Sequence, residues 1–223
     1  TIENALSVPV TPIEFGTIFP QEHLEKSLSI ALSESFKNEG RVDDVDYRIR
    51  QKPKCAVTED GGKTLVGPTA TGEVVVDNSE TGAYHIDCGP APVDANGQPI
   101  PGWGALPSLC PYLSKEPQDD EDGDVGLPSF HQPFTIVAGQ VVWNDTAHGH
   151  LSKFDEDDSD SWIIDVATPC FAGFCAQDWA DFVHGFDKDA DPNLYTQPIG
   201  NEHKVFGCDL WVETTNISIE EGV

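Results

Sequence analysis

The chain has 223 residues, with 12 Lys or Arg against 39 Asp or Glu, a formal net charge of −27. A surface this acidic repels nucleic acid and anionic membrane, and it favours solubility and divalent cations. Hydrophobic residues make up 38%, too many for a disordered chain, while 17 prolines and 20 glycines predict the turns and irregular loops of an all-β surface protein.

The opening stretch reads as β structure. Leu6, Val8 and Val10 alternate with Ser7, Pro9 and Thr11, a period of 2. Pro9 and Pro12 each remove a ladder donor, which suits an edge or a strand bound through one side. Two readings are open: a first edge strand of its own domain, or a strand given to a neighbouring subunit. Ser27 to Phe36 follows as a half-buried strand with Leu28, Ile30 and Leu32 on one face. A turn over Lys37 to Gly40 leads to a second strand with Val45, Tyr47 and Ile49 inward. Arg48, Arg50, Lys52 and Lys54 form the only basic stripe. It is either a solvated outer face or a contact for an acidic patch on a neighbour.

Gly72 to Ser79 and Ala83 to Cys88 predict two short strands joined by a tight turn. Cys88 to Leu113 is a proline-rich irregular loop pinned at Cys88 and Cys110, and Asp119 to Asp124 is an acidic loop tip. These segments lack the periodic apolar positions of a second core, so a Pro-rich insertion at about 88–130 is expected on the outside of one domain. Phe134 to Trp143 predicts a strand with a bulge or turn at Gly139. An exposed acidic loop follows, with His148 and His150 as polar filler. Trp162 to Phe171 is a strand, Ala176 to Val183 a short helix, and Lys204 to Ile219 the last strand. Trp143, Trp162 and Trp211 are expected in core or sheet-face packing positions, and Trp103 as a surface contact or a sugar platform. Together these elements predict an all-β, jelly-roll (Ig-like) β-sandwich with long disulfide-pinned loops and one short helix. It comprises an arm over 1–12 and a single domain over 13–223.

Six cysteines, Cys55, Cys88, Cys110, Cys170, Cys175 and Cys208, predict three disulfides, since none sits in a zinc-finger spacing. Their pairing stays open. Cys170 and Cys175 are near enough to bridge each other, and each is equally placed to pair elsewhere. The cysteines, and the lack of a basic leader or a bilayer-spanning apolar run, predict a mature, exported chain in an oxidising compartment, with no membrane insertion. Sequons at Asn144 and Asn216 agree with export.

No HExxH, GxSxG, P-loop or GxGxxG pattern is present, so we expect a non-enzyme without a cofactor. Asp187, Asp189 and Asp191 have alternating oxygen-ligand spacing. Pro192 and Pro198 stand where an EF-hand needs Gly and Glu, which excludes that motif and leaves a looser structural calcium site.

Two segments carry a family resemblance. IEFGTIFPQEHLEKSLSIALS (Ile13 to Ser33), with its FG-x-(I/V)-FP-x-E pattern, and the strand ending YRIRQKPK resemble the start of the TasA/camelysin group of exported matrix proteins. GCDLWVETTNIS (Gly207 to Ser218) is similar to the last strand of secreted relatives. Gln21 departs from the group, which usually has glycine after that proline. The resemblance covers about the first 50 residues and the last strand. It implies a jelly-roll fold and a fibre in which the N-terminal segment of one subunit completes the sheet of the next. The donor strand would then present Ile2, Ala5, Leu6, Val8 and Val10, with Pro9 and Pro12 as hinge and spacer. A head-to-tail contact of this kind does not close, so it generates a homopolymeric filament. Cations bridging acidic loops would bundle such filaments laterally. The alternative is a monomeric secreted β-sandwich that binds carbohydrate or a surface partner, with or without calcium.

Overall fold

The computed structural model describes residues 4–118, 123–144 and 147–219. Strand β1 (Leu6–Ser7) is followed by β2 (His23–Leu32), the one-turn helix α1 (Glu34–Lys37) and β3 (Asp44–Lys52). Past Pro53 the chain continues as β4 (Lys54–Glu59), β5 (Thr64–Thr71), β6 (Glu73–Asn78), β7 (Ala83–Asp87), β8 (Trp103–Ala105) and β9 (Glu116–Pro117). Then come β10 (Phe134–Val137), β11 (Gln140–Trp143), β12 (His148–Ser152), β13 (Ser159–Ala167), helix α2 (Trp179–Phe186) and β14 (Asp209–Ser218).

Two antiparallel sheets form a sandwich. One has the order β1-β2-β13-β9 and the other β12-β3-β14. The period-2 pattern decides which side chains meet between them. Leu28, Ile30 and Leu32 of β2 and Trp162, Ile164 and Val166 of β13 share one buried cluster with Val45, Tyr47 and Ile49 of β3 and Leu151 of β12. One polar thread crosses this apolar layer. Trp162 Nε1 donates to the Tyr47 hydroxyl at 2.7 Å, and that hydroxyl donates to the Asp160 carboxylate. Burial, then the Asp160 hydrogen bond, pushes the Tyr47 phenol far above its ordinary value. β12 passes tightly over the ring, because a Cβ on Gly149 would lie 2.4 Å from the Tyr47 hydroxyl oxygen. The acidic loop expected after Trp143 is not one free loop: β12 and the start of β13 lie within 148–161.

The strand expected over Ser27 to Phe36 ends at Leu32. Ser33 then caps α1, its hydroxyl accepting from Phe36 N at 3.1 Å, and this turn drops Phe36 fully into the core. The proline-rich stretch also contributes to the core. Tyr112, Leu113 and Phe130 are buried beside Trp179, Val183 and Tyr195, so the insertion at about 88–130 is in part internal.

A smaller sheet of order β5-β4-β8 and two hairpins, β6-β7 and β10-β11, extend from the sandwich. The turn at Ala138 and Gly139 has positive φ at both positions, 50° and 76°, which closes β10 onto β11 in two residues. Tyr84 meets Phe134 edge-on at 5.1 Å, and Phe134 meets Trp143 at 5.4 Å, so Trp143 joins the hairpins rather than filling the core. Three disulfides are formed: Cys55–Cys88, Cys110–Cys208 and Cys170–Cys175. Among the described residues no helix is long and apolar enough to cross a membrane.

Candidate assembly edge

The N-terminal arm enters the sandwich at the C-terminal end of β2. Leu6 pairs with Leu32 and Ser7 with Ala31, and Ser33 N donates to Ala5 O at 2.9 Å. Ala5 is buried, and Leu6 and Val8 pack against the core. Ile2 lies outside the described residues. Val10 does not plug anything: it is 98% exposed, between the two prolines. Among the described residues, 8–18 make no backbone–backbone hydrogen bond, and no strand pairs with the β1 side of β2 over 23–30. Ile13, Phe15 and Ile18 cover the core here with side chains alone. The arm thus supplies apolar groups to the core through a two-residue ladder and an unladdered tether.

The tether ends in a β-turn, with Glu22 N donating to Phe19 O at 3.2 Å. Gln21 sits there at φ 61°, a conformation that favours glycine. Its side chain accounts for its presence. Oε1 accepts from Ala176 N at 3.2 Å, and Nε2 donates to Asp178 at 3.3 Å, which fastens the turn to the start of α2.

The basic stripe is engaged within its own sheet. Arg48 and Arg50 both reach Glu213, at 3.0 and 3.6 Å, and Lys54 reaches Asp209 at 2.8 Å. Lys52 lies 3.9 Å over the ring of Trp211. Trp211 therefore faces outward rather than into the core. The β3–β14 register places these residues opposite one another, Trp211 against Arg50 and Glu213 against Arg48.

On the same face His150 Nδ1 and Asp46 Oδ1 are 2.7 Å apart. His148 and His150 thus lie on β12, not in a loop. Burial pulls the His150 pKa down, but the Asp46 hydrogen bond and charge outweigh it, and the net direction is up from 6.5. Burial pushes Asp46 up, and the His150 and Asn216 hydrogen bonds outweigh that, for a net fall from 3.8. The histidine term is complete below 6.5 and is lost as pH rises through the raised folded value. The carboxylate term is present above 3.8 and is lost as pH falls through the lowered one. Both side chains are more than a third exposed, so the pair contributes under about 1 kcal/mol. The expected result is a ring titration for His150 above the ordinary histidine value by NMR, and loss of that downshift in stability above about pH 6.5 in His150→Gln. An His150 titration at or below the ordinary value would disprove the pairing.

The ligand oxygens of Asp187, Asp189 and Asp191 do not converge within 4.8 Å of one another. Asp187 Oδ1 accepts from Asp189 N at 2.9 Å, and Asp191 Oδ1 accepts from Asn193 N at 3.0 Å, so two of the three carboxylates cap local turns. The one group of ligand-type side chains that does converge, among the described residues, is His23, Glu25 and Asp165, with ligand atoms within 4.8 Å of one another. Sequence reading missed it because its halves lie on β2 and β13 and meet only through antiparallel register. Asn216 is exposed on β14 and donates to Asp46 Oδ2 at 3.1 Å. Asn144 donates to Gln132 O at 2.7 Å, and Asp145 and Thr146 of its sequon lie outside the described residues. Trp103 is half-buried on β8, where Nε1 donates to Gly89 O at 3.3 Å.

No protein-family model matches the sequence, and no curated protein and no solved structure matches it.

Proposed function

We propose that the chain is an exported structural subunit of an extracellular filament, joined to the next copy by exchange of the N-terminal arm. The observation that carries this reading is the arm itself. Ala5 is buried and Leu6 and Val8 pack against the core, yet only Leu6 and Ser7 are laddered, and among the described residues the following tether makes no backbone–backbone bond over 8–18. Such a segment exchanges between copies at low cost, because the contacts made in the neighbour repeat those made at home. Exchange in one direction leaves each subunit with a donated arm and a filled groove, a contact that propagates. The net charge of −27 keeps separate filaments soluble, and three disulfides suit an oxidising exterior.

The competing reading is a monomeric secreted sandwich, and the closure of Leu6 onto the chain's own Leu32 favours it. Negative-stain microscopy and light scattering on the full chain, on a chain lacking residues 1–12, and on a Ser7→Cys/Ala31→Cys variant separate the two. Ser7 and Ala31 are direct cross-strand partners, so that disulfide locks the arm at home. We expect filaments from the full chain at high concentration, none from the truncated or locked chains, and filaments again when the lock is reduced under conditions that leave the native bridges intact. A full chain that stays monomeric at high concentration, or a locked chain that polymerises equally well, would eliminate arm exchange.

A further inference from the structure

We infer that His23, Glu25 and Asp165 bind one divalent transition-metal ion of the zinc class on the outer face of the first sandwich sheet. The β2–β13 register sets Glu25 directly opposite Asp165 and His23 opposite Ala167. Two carboxylates facing each other across a ladder repel, and such a pair is destabilising unless a positive group sits between them. Among the described residues, the charges acting on Asp165 come from His23, Glu25 and Glu116. The ion pair within the cluster is His23 Nδ1 to Asp165 Oδ2, at 3.5 Å. That distance is too long for a good N–H···O hydrogen bond. It matches the edge of a tetrahedron with metal–ligand bonds of about 2.1 Å, which is roughly 3.4 Å.

A second observation points the same way. Asp165 is 7% exposed, and its Oδ1 has no hydrogen-bond partner. A buried carboxylate oxygen without a donor is expensive, and a cation in the cluster supplies what the protein does not. Glu116 adds to the negative field at Asp165. The ring of His23 is steadied edge-on by Phe186 at 5.9 Å, while its side chain stays 57% exposed, so an ion can enter from solvent.

Ligand chemistry selects the ion. One imidazole nitrogen with two carboxylates suits zinc and its neighbours, whereas calcium and magnesium prefer all-oxygen shells. Three protein ligands leave a fourth position for water or for a group from another molecule. The site is independent of the acidic loops, where carboxylates cap turns.

Zinc titration by calorimetry, and cobalt(II) as an absorption probe, test this on the full disulfide-bonded chain at about 0.15 M ionic strength, where diffuse binding to the acidic surface is screened. We expect about one zinc per chain, a four-coordinate cobalt spectrum, and a chelator-reversible rise in Tm. His23→Ala and Asp165→Asn should each weaken binding at least about tenfold. An Asp187→Asn/Asp189→Asn/Asp191→Asn variant should bind as the parent does. Asp165→Asn should also raise the Tm of the metal-free chain, because it removes one of the opposed carboxylates while keeping the side-chain shape. His23 is exposed, so its replacement leaves the fold intact. Zinc binding unchanged in His23→Ala, no saturable binding, or a preference for calcium over zinc would each overturn the site.

Discussion

Replacing Cys110 and Cys208 together by alanine lowers stability more than removing either other disulfide, by about 4–5 kcal/mol in urea unfolding. Loop length sets the order. Cys110 and Cys208 are separated by 98 residues, Cys55 and Cys88 by 33, and Cys170 and Cys175 by 5. The chain-entropy relation converts these spans to roughly 4.7, 3.7 and 2 kcal/mol. Packing does not disturb the ranking, because each bridge joins one buried cysteine to one half-buried one. The long bridge also fixes the layout of the sandwich. Cys110 opens the stretch that runs beside β13, where Ser114 N donates to Asp165 O at 2.8 Å, and Cys208 immediately precedes β14 in the opposite sheet. Its loss lets both segments wander in the unfolded chain. Alanine pairs at all three bridges, compared by denaturant midpoint at constant m, provide the measurement. An order that puts the Cys170–Cys175 pair first would show that native-state strain or packing, rather than loop closure, governs these bridges.

The sandwich was legible in the sequence where one face of a strand is buried and the other wet. Val45, Tyr47 and Ile49 alternate with charged neighbours, and the structure buries those three. Short-range turn chemistry was legible too: the break at Gly139 and the tight turn before Ala83 both close hairpins. Reading failed where a tertiary contact overrides local pattern. Ser33 and Phe36 continue an alternation, but the serine hydroxyl satisfies a helix N-terminus and the phenylalanine reaches the core from a turn. Trp211 alternates like a core residue, and the structure resolves it to the sheet face, beneath Lys52. The His23, Glu25 and Asp165 cluster could not be found from spacing, because in a chain with 39 acids any long-range pair of carboxylates is unremarkable until register joins it. The Asp187 to Asp191 run shows the opposite case. Its local spacing resembles a cation loop, while one oxygen each of Asp187 and Asp191 accepts a local backbone N–H and the three carboxylates do not converge.

Acidification from about pH 6.5 to pH 4 removes about 3 kcal/mol of stability through one residue, His131, and His131→Gln abolishes that component. His131 is 9% exposed beneath the sandwich. Its Nδ1 donates to the Pro128 carbonyl at 2.8 Å, since a carbonyl can only accept, and Nε2 faces the Gln51 amide, whose nitrogen must be the atom turned toward Nε2 for the ring to stay neutral, although the opposite orientation of the amide satisfies more of its contacts. Burial is the main force on the ring, and the nearby Lys115 ammonium is the second. The Pro128 carbonyl opposes both only in part, and the pKa falls to about 3 from 6.5. The unfolded chain therefore takes up a proton that the folded chain refuses throughout that interval. Stability rises with pH wherever the unfolded state binds more protons, so it is complete above 6.5 and drains as pH falls toward the folded value. The slope is about 1.4 kcal/mol per pH unit once well inside the window. Other groups titrate over the same range in a chain this acidic, which is why the difference between parent and variant is the quantity to follow. Replacement by glutamine shifts stability at neutral pH by a constant amount, and only the pH-dependent part reports the ring. Urea unfolding of both proteins between pH 7 and pH 4 should show the parent losing about 3 kcal/mol more than the variant. Parallel curves would mean that the ring accepts its proton in the folded state, with the Gln51 amide oxygen turned to accept from Nε2.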